Sequence, residues 1–233
     1  RKNPAAAAAF AARTFADVPA SAKNVLLSTA DGKPAVGVQV FPYSIGPSAR
    51  VVGLLREKGG TEARVGDDGV ITYVQVGQAS GPLEVVLSTS AGEPFFPYDV
   101  RAGKLLAEKP VKSIRAGVNE ADATLIAMLP YRVASVSIRG PRSVKPGADW
   151  RASLALAVSP RRRSDFTHVV RIAVVKQAGA DWEEIPHYAA NVLVNNFRGT
   201  CVVPFALGDA GRYRITARDV ISGVEALQEV EVK

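Results

Sequence analysis

Short runs of alternating apolar and polar residues follow one another along most of this chain from Val36 onward. A period of two is typical of a β-strand with one buried face, because successive side chains point to opposite faces of a sheet. Before residue 130 these runs lie at 36–43, 50–55, 70–76, 83–87 and 125–129. Turn sequences such as Asp31-Gly32 and Ser80-Gly81-Pro82 separate them. The pattern predicts an all-β fold.

Beyond residue 130 the same pattern continues with seven predicted strands, at 133–138, 150–158, 169–175, 188–194, 200–205, 212–219 and 224–232. Seven strands in about a hundred residues is the size of an immunoglobulin-like sandwich. One strand ends and the next begins near Leu129-Pro130-Tyr131, with almost no linker. We therefore expect two β-sandwiches in tandem, at 24–131 and 132–233, of which the second is immunoglobulin-like.

Residues 1–23 are expected to form a short helix and a linker. Asn3 is a suitable N-cap, Pro4 suits the first helical position, and Ala5 to Ala12 is a strong helix-forming run. We expect the helix to end near Phe15. A signal peptide is the alternative interpretation, although charged residues interrupt its apolar part. The longest apolar run is far short of the roughly 20 residues that span a membrane, so no membrane span is expected.

The predicted strands of the second sandwich have clear inner faces. Three sets of residues are expected to face the core: Trp150, Ala152, Leu154, Leu156 and Val158; Val170, Ile172 and Val174; and Tyr213, Ile215 and Ala217. Tyr213 lies at the position of a tyrosine corner, with Ile215 where an antibody domain has its second cysteine. The single cysteine, Cys201, is expected to be a small buried apolar residue.

No sequence motif indicates a catalytic, cofactor or metal site. The acidic pairs 67–68 and 183–184 fall in predicted turns or loops, where adjacent carboxylates usually face water. His168 and His187 are isolated in the sequence, and a zinc or nucleophile site needs further ligands or a paired Ser or Cys. We therefore expect a non-catalytic chain with no metal and no cofactor.

The net charge of +7 would permit binding to a polyanion. Arg212, Arg214 and Arg218 are predicted to alternate on the outer face of one strand, opposite Glu225, Glu229 and Glu231 on the next. Pairing across this hairpin would use much of the positive charge, which disfavours nucleic acid as a partner. Arg161, Arg162 and Arg163 form a separate basic loop that could bind an acidic polymer or partner, or could simply be solvated.

The segment 180–188 is predicted to be a loop with an exposed tryptophan. Trp182, His187 and Tyr188 are the candidate carbohydrate contacts, because aromatic rings stack on sugars and polar neighbours surround them. The alternative is that Trp182 packs over the open end of the sandwich or against the neighbouring domain.

Four stretches carry a resemblance to a known family: 49–56, 98–104, 125–133 and 204–209. With them the chain resembles the C-terminal β-sandwich region of large bacterial glycoside-hydrolase-like proteins of the β-galactosidase type, over residues 24–233. In that family a catalytic TIM barrel precedes an α/β trimerisation domain and small β domains. The resemblance implies that the helix at 3–15 is the tail of the α/β domain. The family's catalytic carboxylates belong to the barrel, and no residue here matches them.

We expect this chain to be a non-catalytic accessory or structural module of a carbohydrate-active protein, with its chemistry in an upstream region. Its partner would be the catalytic domain of a larger polypeptide or complex, and the resemblance implies a secreted or periplasmic location. A carbohydrate- or polyanion-binding module is the first alternative. The second is a self-associating component of an extracellular assembly, which short exposed strands would favour.

Overall fold

A computed structural model describes residues 25–35, 37–56, 61–66, 69–75, 81–120, 122–161 and 166–233 of the chain. These residues form strands, turns and one short 3₁₀ helix, so the predicted all-β class is confirmed. The helix predicted at 3–15 lies outside the described residues, and so do Arg162 and Arg163 of the basic loop.

Ten strands precede residue 130: β1 (Val25–Thr29), β2 (Val38–Gly46), β3 (Ala49–Arg56), β4 (Thr61–Val65), β5 (Ile71–Gln75), β6 (Leu83–Thr89), β7 (Phe96–Asp99), β8 (Lys104–Leu105), β9 (Ser113–Val118) and β10 (Ala123–Leu129). The five predicted strands correspond to β2, β3, β5, β6 and β10. The sequence did not predict the other five. Of these, β7 and β8 are too short to show a period of two, and the small residues alanine and glycine weaken the alternation in β9.

Nine strands follow: β11 (Arg132–Arg139), β12 (Ser143–Val144), β13 (Asp149–Ser159), β14 (Thr167–Ala178), β15 (Asp181–Glu184), β16 (Ala190–Asn195), β17 (Arg198–Pro204), β18 (Gly211–Asp219) and β19 (Glu225–Val232). Seven of them match the predicted strands within a few residues. The additions are β12, which has two residues, and β15, which lies in the segment predicted as a loop.

The chain divides into two compact units that alternate along the sequence. The first comprises the residues up to Tyr43 together with 51–95 and 110–126. The second comprises 44–50, 96–109 and everything from Ala127 onward. The second unit thus includes two segments that precede the predicted boundary at 131/132.

In the first unit, β1, β6 and β9 form an antiparallel sheet with β6 in the centre. β4 and β5 form a separate hairpin. Val52, Leu54, Val85, Leu87 and Val118 are completely buried. Along β6 and β9 they alternate with more exposed neighbours, so the period of two seen in the sequence marks the inner faces there. On β3, Gly53 between Val52 and Leu54 is buried as well.

In the second unit, strands pair side by side in one continuous series. Their order is β11-β13-β17-β16-β14-β18-β19-β12, and β15 pairs with the end of β14. All pairs with a recorded register are antiparallel except β12 with β19, which is parallel. The predicted inner faces are confirmed, because Trp150, Leu154, Ile172, Tyr213 and Ile215 all have at most 1% of their surface exposed.

Tyr213 is hydrogen-bonded to the turn that precedes β18. Its hydroxyl donates to the backbone carbonyl of Asp209, four residues earlier, at 2.8 Å. Cys201 is buried as predicted and pairs with Ala152 across β13 and β17. Burial raises the pKa of its thiol, which keeps the side chain in the unreactive form at neutral pH.

Candidate functional site

Trp182 lies on a strand and not in the predicted exposed loop. It is the second residue of β15 and pairs with Gln177 of β14. The sequence Asp-Trp-Glu-Glu has little intrinsic β propensity, so the strand forms because β14 is long enough to pair with it. The guanidinium carbon of Arg214 is 4.0 Å from the centre of the indole ring. The ring is therefore only partly exposed, and a cation occupies a position over it.

His187 and Tyr188 lie on the 3₁₀ helix Pro186–Tyr188, where the sequence predicted the start of a strand. Their ring centroids are 4.3 Å apart, with His187 exposed and Tyr188 buried. The Tyr188 hydroxyl donates to the Asp209 carboxylate, and that carboxylate also accepts from the Ala206 amide at 2.6 Å. Tyr188 therefore holds the segment between β17 and β18 and is not free to contact a ligand.

Asp209 is the centre of this polar cluster at the start of β18. Burial opposes its charge, but the bonds from Tyr188 and Ala206 and the nearby Lys176 cation outweigh burial and lower its pKa. Burial and the charge of Asp209 raise the pKa of Tyr213 to about 12. Burial and the bond to Asp209 likewise raise the pKa of Tyr188. At neutral pH one carboxylate therefore faces two neutral phenols, which is a stable structural arrangement.

Arg161 is exposed at the end of the segment after β13. Within the described residues, no hydrogen bond, ring contact or ion pair joins it to Trp182, His187 or Tyr188. Trp182 lies on β15 beneath the Arg214 guanidinium, and Tyr188 is bonded to Asp209. Arg162 and Arg163 lie outside the described residues, so binding at the basic loop stays a prediction.

The predicted charge ladder on β18 and β19 is present. Arg212 lies opposite Glu231, Arg214 opposite Glu229, and Arg218 opposite Glu225. The ion pairs converge on Glu229, which receives Arg212 at 3.2 Å and Arg214 at 3.0 Å. The hydrogen bond from Arg214, with the nearby charge of Arg212, lowers the pKa of Glu229. Glu231 pairs instead with Lys233 at 2.7 Å.

Beside this ladder lies an open groove of about 710 Å³. It is bounded on one side by the end of β11 and the turn that follows it, and on the other by β19 and Arg212. The lining residues are Ile138, Arg139, Gly140, Arg142, Arg212, Leu227, Gln228, Glu229, Val230 and Glu231. A volume of this size is typical of ligand-binding clefts. The groove is not evident from the sequence, because its two sides come from segments about ninety positions apart that have no shared motif.

A fixed corner shapes the groove at Gly140 and Pro141. The Gln228 amide acts like a strand neighbour for Gly140, since it accepts from the Gly140 amide at 2.9 Å and donates to the Gly140 carbonyl at 2.7 Å. The Trp150 indole nitrogen donates to the Pro141 carbonyl at 2.8 Å. A Cβ on Gly140 would lie 2.6 Å from the Trp150 ring, so only glycine fits between Trp150 and the groove.

A buried polar chain lies elsewhere in the second unit. The Tyr131 hydroxyl is 2.8 Å from Nε2 of His168, and Nδ1 of His168 is 2.7 Å from the Asp219 carboxylate. That carboxylate also accepts from the Ser222 amide at 2.8 Å and from the Ser222 hydroxyl at 2.6 Å. Because a carboxylate only accepts hydrogen bonds, Nδ1 of His168 donates to Asp219, and Nε2 of the same ring is bonded to the Tyr131 hydroxyl.

The hydrogen-bonded series Tyr131, His168 and Asp219 resembles a catalytic relay in its residue types, but a substrate has no access to it. His168 and Asp219 have no exposed surface. Phe166 and Phe197 pack edge-on against Tyr131, with ring centroids 4.8 Å and 5.3 Å away. Burial, and then the charge of Asp219, raises the pKa of Tyr131 well above its ordinary range. This buried series of hydrogen bonds is not evident from the sequence, because its members are far apart along the chain and meet only through strand pairing.

The sequence matches no known family model and no curated protein. Among solved structures, the chain is similar to a superoxide reductase (neelaredoxin) from Ignicoccus hospitalis, with 12% identical residues and a TM-score of 0.31. That similarity covers 43% of this chain and 82% of the other. A TM-score this low carries no argument about fold or function.

In the parts of the chain that the structure describes, no helix has the length and apolar character needed to cross a membrane. Among those same residues, no group of three or more His, Cys, Asp or Glu side chains is arranged to hold a metal ion.

Proposed function

We propose that this chain is a non-catalytic structural module of a larger carbohydrate-active protein, whose chemistry lies in another region or partner. The observation that carries this proposal is that the side chains with potential for chemistry are bonded to other residues of the fold. His168, Asp219 and Tyr131 form a chain with no access from solvent, and Asp209 binds Tyr188 and the Ala206 amide. These groups stabilise loops and strand ends. Polar networks whose hydrogen bonds are satisfied make a structure rigid, which favours a structural role.

The same proposal includes two tandem sandwiches, the second of them immunoglobulin-like. Three features of the second unit support it: the neighbour sets β11-β13-β17 and β14-β18-β19, the parallel pairing of β12 with β19, and the hydrogen bond from Tyr213 to Asp209. An immunoglobulin-like domain has two such sets of strands and a tyrosine near the start of its penultimate strand. In the first unit, the separate set β1-β6-β9 supports a sandwich of its own.

The carbohydrate-active context rests on the resemblance to the β-galactosidase type, and with it the partner catalytic domain and the secreted or periplasmic location. The first test is the intact mass of the denatured protein from its natural source. A species well above 24.6 kDa would support a module whose chemistry lies elsewhere. Glycosidase activity that stays with residues 1–233 through purification would overturn the proposal.

A second candidate function is carbohydrate binding by the outer face of β15 and β18. The observation that favours it is the half-exposed Trp182 ring beside the Arg214 guanidinium. The indole offers an apolar surface on which a sugar ring can stack, and the guanidinium offers hydrogen-bond donors. The test is retention on immobilised neutral glycans, compared between the native chain and Trp182→Ala. Leu193→Ala, at an exposed position of β16 away from the candidate contacts, is the control. Equal retention of all three proteins would reject this candidate.

A further inference from the structure

The groove between β11 and β19 combines unpaired guanidinium groups with carboxylates. Arg139 and Arg142 are exposed on one side, and among the described residues neither side chain forms an ion pair. Arg212 lies on the other side and shares Glu229 with Arg214. Lys233 pairs with Glu231. Three arginines and two carboxylates thus line the groove, and Arg214 and Lys233 pair with those carboxylates from outside the lining. The groove has an excess of positive charge that can attract an anion.

The backbone around the groove is held firmly, so its side chains are presented from a fixed frame. Gln228 joins β19 to Gly140 by two hydrogen bonds, and the Glu231 amide donates to the Arg142 carbonyl at 2.9 Å. Trp150 fixes Pro141 from the core side. Arg139 and Arg142 thus extend from the two ends of one rigid corner, and rigid presentation lowers the entropy lost on binding.

The mixture of charges restricts the class of ligand. A DNA strand has a phosphate at every residue but no hydroxyl along its length that could donate to Glu229 and Glu231 on the groove wall. A peptide interface normally has an apolar core, whereas Leu227 is the main exposed apolar side chain of the groove. A carboxylated sugar polymer offers both of the groups that the groove needs: carboxylates for the arginines, and hydroxyl donors for Glu229, Glu231 and the Gln228 amide oxygen.

We propose that this groove binds an anionic polysaccharide built of uronic acid residues, with Arg139 and Arg142 pairing with its carboxylates. Trp182 does not line this groove and meets it only through Arg214, which lies over the indole ring and pairs with Glu229. The proposal does not depend on the structural role proposed above. The groove could fail to bind while the module remains non-catalytic, and glycosidase activity would overturn that role without affecting the groove.

The test is a calorimetric titration of the full chain with a short oligomer of galacturonic acid and with the same oligomer as its methyl ester. The ester keeps the shape and hydroxyls of the sugar but removes its charge. We expect the acid to bind and the ester to bind about tenfold more weakly or not at all, since paired guanidinium groups lose their partners. Equal affinity for both oligomers, or no heat with the acid, would overturn the proposal.

The matched variants are Arg139→Gln/Arg142→Gln in the groove and Arg151→Gln/Arg198→Gln on β13 and β17, which remove the same charge elsewhere in the unit. The groove pair should weaken binding of the acid about tenfold or more, and the control pair should weaken it less than about threefold. Similar losses from both pairs would show a general charge effect and reject the site. A polyglutamate peptide or an oligonucleotide that displaces the acid at lower concentration would also reject it.

Discussion

His168 and His187 show how the surroundings of a single residue decide its role. In the sequence both are isolated histidines. In the structure His168 is fully buried between Tyr131 and Asp219, whereas His187 is exposed on the 3₁₀ helix and stacks beside Tyr188. A buried polar side chain must have its hydrogen bonds satisfied within the protein, so the two histidines should differ sharply in their contribution to stability.

His168→Ala is expected to lower the free energy of unfolding by about 3 kcal/mol or more, because it leaves the buried Asp219 carboxylate and the Tyr131 hydroxyl without their partner. Tyr131→Phe removes one bond and should cost about 1–3 kcal/mol. Urea denaturation followed by tryptophan fluorescence would measure both. His187→Ala is the control and should change stability by less than about 0.5 kcal/mol. Equal effects from the two histidine variants would contradict the structural role of His168.

Gly140 is a second residue whose importance the sequence did not reveal. Its position next to the Trp150 ring leaves no room for a side chain. Gly140→Ala should destabilise the chain by about 1–3 kcal/mol, because the ring or the corner at Pro141 must move. Gly208→Ala is the matched control, since a Cβ there would meet nothing within 4 Å. Comparable melting temperatures for the two variants would show that the corner can relax freely.

At the scale of elements, the segment joining β17 to β18 depends on one carboxylate. Asp209 accepts from Tyr188 of the 3₁₀ helix and from Ala206, and its backbone carbonyl accepts from Tyr213 of β18. Three elements therefore meet at a residue that the sequence presents only as part of a turn. The arrangement predicts a link between pH and stability that is specific to this segment.

The folded state holds the pKa of Asp209 below its ordinary value of 3.8. The resulting stabilisation is complete above that ordinary value and declines as the pH falls through the lower pKa of the folded state. Asp209→Asn should therefore lower stability at pH 7 by about 1 kcal/mol, with a difference from the native chain that stays constant down to about pH 4 and shrinks at lower pH. Tyr188→Phe should reduce the same acid dependence. Thermal melts between about pH 2 and pH 7 would measure it, and parallel curves for all three proteins below pH 4 would contradict the assignment.

For the whole molecule, the single cysteine reports on cooperative opening. Cys201 is 2% exposed and lies on β17, which pairs with β13 along its length. Its thiol can react with a reagent in solution only when these strands separate.

We expect an aromatic disulfide reagent to label Cys201 on the order of a thousandfold more slowly in the native chain than in urea, because the open state is rare and burial raises the pKa of the thiol. Absorbance at fixed reagent concentration gives the rate. His168→Ala should speed labelling, and His187→Ala should not. Native labelling at the rate of the unfolded chain would mean that β17 opens locally and that the sheet containing it does not unfold cooperatively.

The sequence predicted much of the second unit and little of the functional surface. The inner faces containing Trp150, Ile172 and Tyr213 follow directly from alternation, and the pairing of Arg214 with Glu229 follows from two adjacent strands in a hairpin. Local pattern is sufficient for such features because they depend on neighbours in the chain. The strand β15 was not predicted, because its pairing with β14 and the packing of Trp182 on Arg214 depend on residues that its own sequence does not specify.

By itself the sequence determined the all-β class, the inner faces of the strands and the charged hairpin at the C-terminal end, since periodicity and turn residues act over short distances. Only the tertiary structure decided that Tyr131, His168 and Asp219 form a buried chain, and that Arg139 and Arg142 border one groove with Arg212. These groups are brought together by the pairing of strands distant in sequence, and the register of that pairing is set by the packing of the whole core.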